Sequence, residues 1–306
     1  MSPRSKVASI RPKSIASRDI ALTMQTISAI RALRAKLKAW RLEGKSIGFV
    51  PTMGNLHAGH LTLVQLAKDR SDRVVVSVFV NPTQFGPAED FAGYPRTLEE
   101  DKQLLVAEGV DMLFAPTVAD MYVGGEAHTA RIEVPGISDI LCGAFRPGHF
   151  SGVATVVAKL FNIVQPDLAV FGEKDFQQLL IIRKLVTDLN FPIEILGAPI
   201  GREPDGLAYS SRNRYLTNRE REIAPALRQV LIDVADSLRA GDHDYISLQK
   251  SAVGKLVAAG FKPDYLEIRE ASDLRLPGPD SDDLVVLAAA YLGKARLLDN
   301  IRLNRY

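Results

Sequence analysis

The stretch that decides the fold is I-G-F-V-P-T-M-G-N-L-H-A-G-H, residues 47 to 60, where an apolar run passes through a loop into a helix. Continuous apolar runs of strand length indicate strands that are covered on both faces, as in a parallel sheet. Four more such runs follow, at Val74 to Val80, Met112 to Ala115, Leu168 to Phe171 and Ile193 to Leu196. The segments between them have helical spacing, so the sequence predicts an α/β fold with a doubly wound parallel sheet.

The predicted helices follow from apolar residues that recur every three or four positions. They are Leu61 to Lys68, Leu98 to Glu108, Val153 to Val164 and Gln177 to Leu189, preceded by an amphipathic helix from about Ile27 to Gly44. In a doubly wound sheet, ligands bind beyond the carboxyl ends of the strands. We therefore expect the functional site in the loops that begin at Pro51, Asn81, Gly172 and Pro199.

After Pro199 the alternation gives way to helices followed by strands, which predicts a second, smaller α+β domain. Its helices are expected at about Asn218 to Ala240 and Tyr245 to Ala259, and its strands near Tyr265 to Arg269, Leu284 to Leu292 and Ala295 to Ile301. The predicted domains are thus residues 24–199 and residues 200–306. Residues 1–23 are basic, serine-rich and without periodicity, so we expect a disordered tail rather than a transit peptide, with Met24 as an alternative start.

The composition of the 306 residues excludes several classes of protein. A single cysteine permits neither an internal disulfide nor a cysteine-based zinc site. The apolar runs are too short to span a membrane, and a net charge of +2 with no basic stripe gives no reason to expect a nucleic-acid partner. We expect a cytoplasmic protein that binds neither membranes nor nucleic acid.

The loop after the first run ends in H-A-G-H, residues 57 to 60, at the start of a helix. His57 and His60 are three residues apart, on one face of the first turn, and Gly59 leaves the backbone open to a ligand. A helix N-terminus favours anions, so this arrangement predicts a phosphate site. Two alternatives are histidines that only cap or pack the helix, and a zinc pair, for which no third ligand has a recognisable spacing.

Three other segments carry polar side chains toward the same strand ends. In G-E-K-D, residues 172 to 175, Lys174 is the cation placed to meet a polyphosphate, while Asp175 either caps the next helix or binds ligand. In Y-S-S-R, residues 209 to 212, hydroxyl groups and Arg212 can close over an anion, although such residues also form ordinary turns. Gln84, in N-P-T-Q-F, either reads a hydroxylated acid or holds its loop together.

From about Met24 to Ile301 the chain resembles the pantothenate synthetase family, the AMP-forming pantoate-beta-alanine ligases within the wider H-x-G-H nucleotidyltransferase superfamily. The resemblance rests on P-T-M-G-N-L-H-A-G-H, N-P-T-Q-F, Y-P-R-T, R-P-G-H-F, G-E-K-D-F-Q-Q-L, D-G-L-A-Y-S-S-R-N-R-Y-L and L-L-D-N-I, in that order. It implies ATP-dependent condensation of pantoate with beta-alanine through a pantoyl adenylate, with release of AMP and pyrophosphate. It also implies Mg²⁺, a cytoplasmic homodimer, a Rossmann-like domain for ATP and pantoate, and a C-terminal lid.

The resemblance also assigns residues. His60 is expected to be catalytic, with His57 and Lys174 sharing the phosphate charge, while Asp101 lies near the magnesium-bearing phosphates. Gln84 and Gln178 are expected to hold pantoate. The expected ATP site comprises Met53, Gly54, Asn55, Leu56, His57, Ala58, Gly59, His60, Gly172, Glu173, Lys174, Asp175, Gly201, Tyr209, Ser210, Ser211 and Arg212.

The chain departs from the family pattern at three positions that border the expected ATP site. Ala58 stands where an acidic residue is common, Gly201 where a larger apolar residue is usual, and Tyr209 where methionine or leucine is usual. Two other functions are compatible with H-x-G-H. One is a nucleotidyltransferase that stops at an adenylylated product, and the other is a nucleotide-binding regulatory module without turnover.

Overall fold

A six-stranded sheet is the largest element of the computed structural model, which describes residues 24–86, 89 and 91–304. The expected tail, residues 1–23, lies outside the described residues. Every neighbouring pair of strands is parallel, which confirms the predicted doubly wound sheet. In the spatial order β1-β4-β3-β2-β5-β6, the strands are β1 Gln25–Ile27, β4 Met112–Phe114, β3 Arg73–Val78, β2 Ile47–Thr52, β5 Leu168–Gly172 and β6 Glu194–Ala198.

Helices cover both faces of this sheet, which is why its strands are apolar throughout. The helices of this part are α1 Ile30–Leu42, α2 Ala58–Arg70, α3 Leu98–Ala107, α4 Val118–Met121, α5 Cys142–Phe145, α6 His149–Val164 and α7 Phe176–Asp188. On one face α1, α6 and α7 pack against side chains such as Phe49 and Phe114. On the other face α2 and α3 pack against side chains such as Val50 and Leu113.

All five predicted strands are present, but the sequence reading missed β1 and began the first helix three residues early. β1 has only three residues, Gln25–Ile27, and pairs with β4 at the edge of the sheet. A strand of three residues is too short to show a periodicity of two, and α1 begins soon after it at Ile30.

The remaining strands form a separate antiparallel sheet, β7 Lys262–Glu270, β8 Asp283–Leu292 and β9 Ala295–Asn304. Three helices pack on one of its faces, α8 Asn218–Ile223, α9 Ala226–Arg239 and α10 Tyr245–Ala258. The single helix expected over residues 218–240 is therefore two, and the break falls beside Pro225, which lacks a backbone N–H group. This smaller unit confirms the predicted α+β addition.

The second face of the small sheet packs against α6 and α7 of the large one. Val285 and Leu287 of β8 share a buried apolar cluster with Ala154, Phe176 and Ile181. Both faces of β8 are thereby covered, which explains its continuous apolar sequence. No helix among the described residues has the length and apolar character needed to cross a membrane.

Candidate active site

A cleft lies at the carboxyl edge of the large sheet, where the strand order reverses between β2 and β5. Pro51, Asn81, Gly172 and Pro199, which begin the four predicted loops, all line it. The structure thus brings together segments that are far apart in sequence. Of the expected site residues, those that line the cleft are Met53, Gly54, His57, Gly59, His60, Gln84, Gly172, Lys174, Asp175, Gln178, Gly201, Tyr209, Ser210, Ser211 and Arg212.

Five of the expected residues do not line this cleft, namely Asn55, Leu56, Ala58, Asp101 and Glu173. Asn55 and Asp101 are instead buried, where they anchor the loop that carries the histidines. Asn55 and Leu56 donate their backbone N–H groups to Asp101 Oδ2 and Oδ1, at 2.9 and 2.7 Å. Arg214 donates to Asn55 Oδ1 from the turn that contains Arg212. The loop that carries the histidines is therefore fixed from beneath.

Asp101 was expected near magnesium-bearing phosphates, but its burial and its hydrogen bonds to the protein limit its use as a metal ligand. It is 1% exposed, and its Oδ1 accepts a further hydrogen bond from Thr97 Oγ1 at 3.3 Å. Within the described residues, no three histidine, cysteine, aspartate or glutamate side chains are grouped to hold a metal. The residues present therefore do not fit a metal held by the protein alone.

The histidines occupy the first turn of α2, whose N-cap residue is His57. The His57 N–H donates to Nδ1 of His60 at 3.3 Å, and the two ring centroids are 4.1 Å apart. An Nδ1 that accepts a hydrogen bond leaves the hydrogen of a neutral imidazole on Nε2. Burial lowers the pKa of His60 to about 3, and repulsion by Lys174, and by His57 when that ring is protonated, acts in the same direction. His60 is therefore a neutral hydrogen-bond donor at physiological pH.

His57 is neutral for a related reason. Burial, followed by the charge of Lys174, lowers the pKa of His57 to about 4, although Asp175 opposes this shift. Its Nδ1 atom is buried and has no hydrogen-bond partner within the described part of the chain. A buried polar atom without a partner costs free energy unless a ligand or water satisfies it. The helix N-terminus beside the two rings is the part of this loop that suits a bound anion.

Close packing around Gly59 explains two of the three departures from the family pattern, those at Gly201 and Tyr209. A Cβ atom at Gly59 would be 3.0 Å from His57 Cε1 and 3.1 Å from Tyr209 Cβ. A Cβ atom at Gly201 would be 3.2 Å from Gly59 Cα and 3.3 Å from Tyr209 Cδ2. Tyr209 also donates its N–H to the Gly201 carbonyl at 3.0 Å. The Gly59 backbone and the ring at position 209 thus together occupy the space that a larger residue at position 201 would need.

Two cations of the cleft, Lys174 and Arg212, form no direct ion pair among the described residues. Neither Lys174 nor Arg212 uses its side chain in a hydrogen bond or ion pair with that part of the chain, and both line the cleft. Burial, with a contribution from Arg212, lowers the pKa of Lys174, while Asp175 opposes the shift. Asp175 is the N-cap of α7 by position, but its side chain makes no capping hydrogen bond. The cleft is therefore prepared for an anion.

Gln84 and Gln178, the two glutamines expected to hold pantoate, differ in their hydrogen bonds. Gln84 is buried, accepts from Asn81 Nδ2 at 3.1 Å and donates weakly to Met53 Sδ at 3.0 Å. Gln178 lines the cleft, and its amide makes no hydrogen bond within the described residues. Its neighbour Gln177 is instead buried and donates to two backbone carbonyls. The two consecutive glutamines thus have different environments.

Comparison with known proteins now decides the family. The family model of pantoate-beta-alanine ligase matches residues 25–302. The chain belongs to the pantoate-beta-alanine ligase family. It is similar to the pantothenate synthetase of Azotobacter vinelandii, with 56% identity over 281 residues that cover 92% of this chain and 99% of that protein. Its similarity to the pantothenate synthetase of Ectopseudomonas mendocina is 58% over 278 residues, covering 91% and 98%.

Solved structures of pantoate-beta-alanine ligases have the same fold. The pantothenate synthetase of Thermus thermophilus is 45% identical and superimposes with a TM-score of 0.85, covering 92% of this chain and 100% of that one. The pantoate-beta-alanine ligase of Francisella tularensis, solved with beta-gamma ATP and beta-alanine, is 38% identical with a TM-score of 0.77, covering 91% and 97%. These likenesses confirm the family that the sequence motifs indicated.

In this member of the ligase family, the sequence reading missed a polar chain that supports Gln84. Glu89 and Arg146 form a bidentate ion pair with both distances 2.6 Å, and Arg146 Nη1 lies 3.0 Å from His149 Nε2. His149 Nδ1 in turn lies 2.8 Å from the Gln84 carbonyl. Burial, then Arg146, lowers the pKa of His149 to about 4, so the neutral ring accepts from Arg146 and donates to Gln84. The motif R-P-G-H-F contains two members of this polar chain, Arg146 and His149. The third, Glu89, is 57 residues away from Arg146, so the sequence does not indicate the ion pair.

Proposed function

We propose that this ligase joins pantoate to beta-alanine in two steps, with ATP consumed in the first. A carboxylate does not acylate an amine at neutral pH, because its leaving group would be oxide. In the first step a pantoate carboxylate oxygen attacks the α-phosphorus of ATP, and pyrophosphate departs with the bonding electron pair. In the second step the beta-alanine amine attacks the pantoyl carbonyl, AMP leaves, and the amine releases a proton to give pantothenate.

One observation carries the proposal: a helix N-terminus with two neutral histidines faces the same cleft as two cations that form no ion pair among the described residues. In the first step, negative charge grows on nonbridging phosphate oxygens and on pyrophosphate. Preorganised donors aimed at such charge contribute most of the catalysis in comparable reactions. Lys174 and Arg212 are free to meet the phosphates because no ion pair within the described chain holds either of them.

His60 has a specific part in this scheme. Since its Nδ1 accepts from the backbone of its own helix cap, only Nε2–H is free to donate to a ligand. A neutral donor loses less hydration on entering the closed cleft than an imidazolium would. We therefore assign His60 as a fixed donor to the phosphate oxygens, with His57 and Lys174 beside it.

Gln84 and Gln178 are assigned to pantoate, whose hydroxyl and carboxylate groups need donors and acceptors. The Gln178 amide lines the cleft without a partner in the described chain, and the contact of Gln84 with the Met53 sulfur is a weak one that a substrate oxygen can replace. The polar chain through His149 keeps the Gln84 backbone in place while its amide turns to substrate.

Three further features are proposed from the family resemblance. The phosphate oxygens of ATP, rather than Asp101, would be the main ligands of Mg²⁺, which would neutralise phosphate charge, because Asp101 already accepts hydrogen bonds from the loop above it. Residues 24–199 form the ATP and pantoate domain, and residues 200–306 act as a lid that excludes water from the adenylate. The enzyme works as a homodimer in the cytoplasm, and light scattering on the purified protein will check the oligomeric state.

The decisive experiment measures AMP release and pyrophosphate exchange with and without beta-alanine. We expect labelled pyrophosphate to enter ATP when pantoate and Mg²⁺ are present and beta-alanine is absent. Label from a pantoate carboxylate oxygen should end in AMP. A nucleotidyltransferase would release pyrophosphate but no AMP on adding beta-alanine, and a regulatory module would bind ATP without turnover. Label in pyrophosphate, or exchange that requires beta-alanine, would contradict the adenylate route.

A further inference from the structure

Two consecutive polar residues of β9, Asp299 and Asn300, are buried where the small sheet meets the cleft. Their exposed fractions are 4% and 5%. They belong to the L-L-D-N-I segment of the family resemblance, which carried no assigned role. Buried polar side chains in a strand need partners, and here both find them in segments that lead to the cleft.

Asn300 binds the turn that carries Lys174. Its Nδ2 donates to the carbonyl oxygen of Glu173 at 2.9 Å and to that of Lys174 at 3.0 Å. One amide group therefore fixes two successive carbonyls of the 3-10 turn between β5 and α7. The Lys174 side chain has no tether of its own among the described residues, so this contact sets the backbone from which its ammonium group projects.

Asp299 binds the segment that joins the two sheets. Its Oδ2 and Oδ1 accept from Arg202 Nη1 and Nη2 at 2.7 and 2.9 Å, which is a bidentate pair. Arg202 Nη1 also donates to the Gly206 carbonyl, so the guanidinium organises the loop that leads to Tyr209. Asp299 Oδ1 accepts from the Asn300 N–H as well, which couples the two residues.

We propose that Asp299 and Asn300 are positioning residues that hold Lys174 and the loop of residues 202–212 in the geometry of adenylation. The inference rests on the proposed role of Lys174. Its consequence is that adenylation requires the small sheet to be docked. When the small sheet separates from the large sheet, the turn at Lys174 loses both amide hydrogen bonds from Asn300. A displacement of about 1 Å at a reacting group reduces rate by about a hundredfold.

Charge supports the same assignment. Burial and Arg212 lower the pKa of Lys174, whereas Asp175, Asp299 and Cys142 raise it. A negative charge supplied by the small sheet therefore helps to keep the ammonium group protonated. Replacing Asp299 by asparagine removes that charge, which lowers the pKa of Lys174 further. The alkaline limb of kcat/KM, which reports free-enzyme groups, should move to lower pH in Asp299→Asn.

The experiment measures pantoate-dependent exchange of pyrophosphate into ATP with the full-length enzyme. Asn300→Ala removes the amide, and Asn300→Asp keeps its shape but presents a carboxylate to two carbonyl oxygens. We expect kcat to fall about 10- to 100-fold in both, while KM for pantoate stays within about twofold of the wild type. Asn304→Ala, an exposed asparagine on the same strand, is the matched control and should leave kcat unchanged.

Urea unfolding and circular dichroism identify variants that fail to fold, and Asp299→Asn supplies the independent pH test. The inference is overturned if folded Asn300→Ala and Asn300→Asp keep wild-type kcat, or if KM for pantoate rises with kcat unchanged. It is also overturned if the alkaline limb does not move in Asp299→Asn. Wild-type enzyme without exchange would instead refute the proposed function, and Lys174→Ala with full exchange would refute the assigned role of Lys174.

Discussion

Replacing Asp101 by asparagine tests whether this residue holds the histidine loop or a magnesium ion. In the structure both carboxylate oxygens accept backbone N–H groups, from Asn55 and Leu56, and the side chain is 1% exposed. Asparagine has one acceptor oxygen, so one of these N–H groups would face an NH₂ group instead. That loop leads directly into His57, and a loosened loop moves the first turn of α2.

The magnitude follows from the two hydrogen bonds. One changes from charge-assisted to neutral, and the other is lost and leaves a buried donor unsatisfied, for a sum of about 2–4 kcal/mol in the free energy of unfolding. Urea unfolding measures that loss. Pyrophosphate exchange measured against Mg²⁺ concentration then separates the two roles, because a loop anchor lowers kcat without changing the Mg²⁺ requirement.

The control for Asp101→Asn is Glu100→Gln, which removes an exposed carboxylate from the same helix. It should leave the free energy of unfolding within about 0.5 kcal/mol of the wild type. The reasoning is refuted if Asp101→Asn has wild-type stability and needs about 10- to 100-fold more Mg²⁺, the size of effect expected for a residue that supports a metal.

The other predictions concern the cleft itself. His60→Ala and Lys174→Ala should each lower the adenylation rate by about 10²–10³-fold, measured by pyrophosphate exchange, with little change in melting temperature. Gln178→Ala should weaken pantoate binding in calorimetry and spare ATP, because the amide is assigned to pantoate alone. Burial keeps the pKa values of three cleft histidines at about 3 to 4, whereas unfolded histidine titrates near 6.5. Urea unfolding should therefore show stability falling from pH 7 to pH 5, by up to about 2 kcal/mol per histidine, and a flat profile would contradict their neutrality. Finally, Gly201→Val should destabilise the chain by crowding the Tyr209 ring, and Tyr209→Leu should relieve it, with a coupling of about 1–2 kcal/mol in a double-mutant cycle.

Local sequence patterns predicted most of the fold. The continuous apolar runs predicted five strands of the large sheet, because a strand buried on both faces leaves a record in consecutive residues. Because ligands bind at the carboxyl ends of parallel strands, the site was predicted in four loops. The first residue of each of these loops lines the cleft. The motif H-A-G-H indicated the position of the paired histidines, since a helix start with residues three apart is a local feature.

Only the tertiary structure shows which hydrogen bonds hold the site residues in place and which protonation states they have. Asn55 and Asp101 are 46 residues apart, and Lys174 and Asn300 are 126 apart, so no periodicity relates them. The neutral state of the histidines depends on burial by several segments, which a single sequence does not express. The complementarity of Gly201 and Tyr209 is likewise visible only as a distance between atoms. Sequence determines which residues form each element and end at one edge of the sheet, because those patterns are local. The partners that anchor, neutralise or crowd these residues come from distant segments of the chain. Such contacts exist only once the chain is folded.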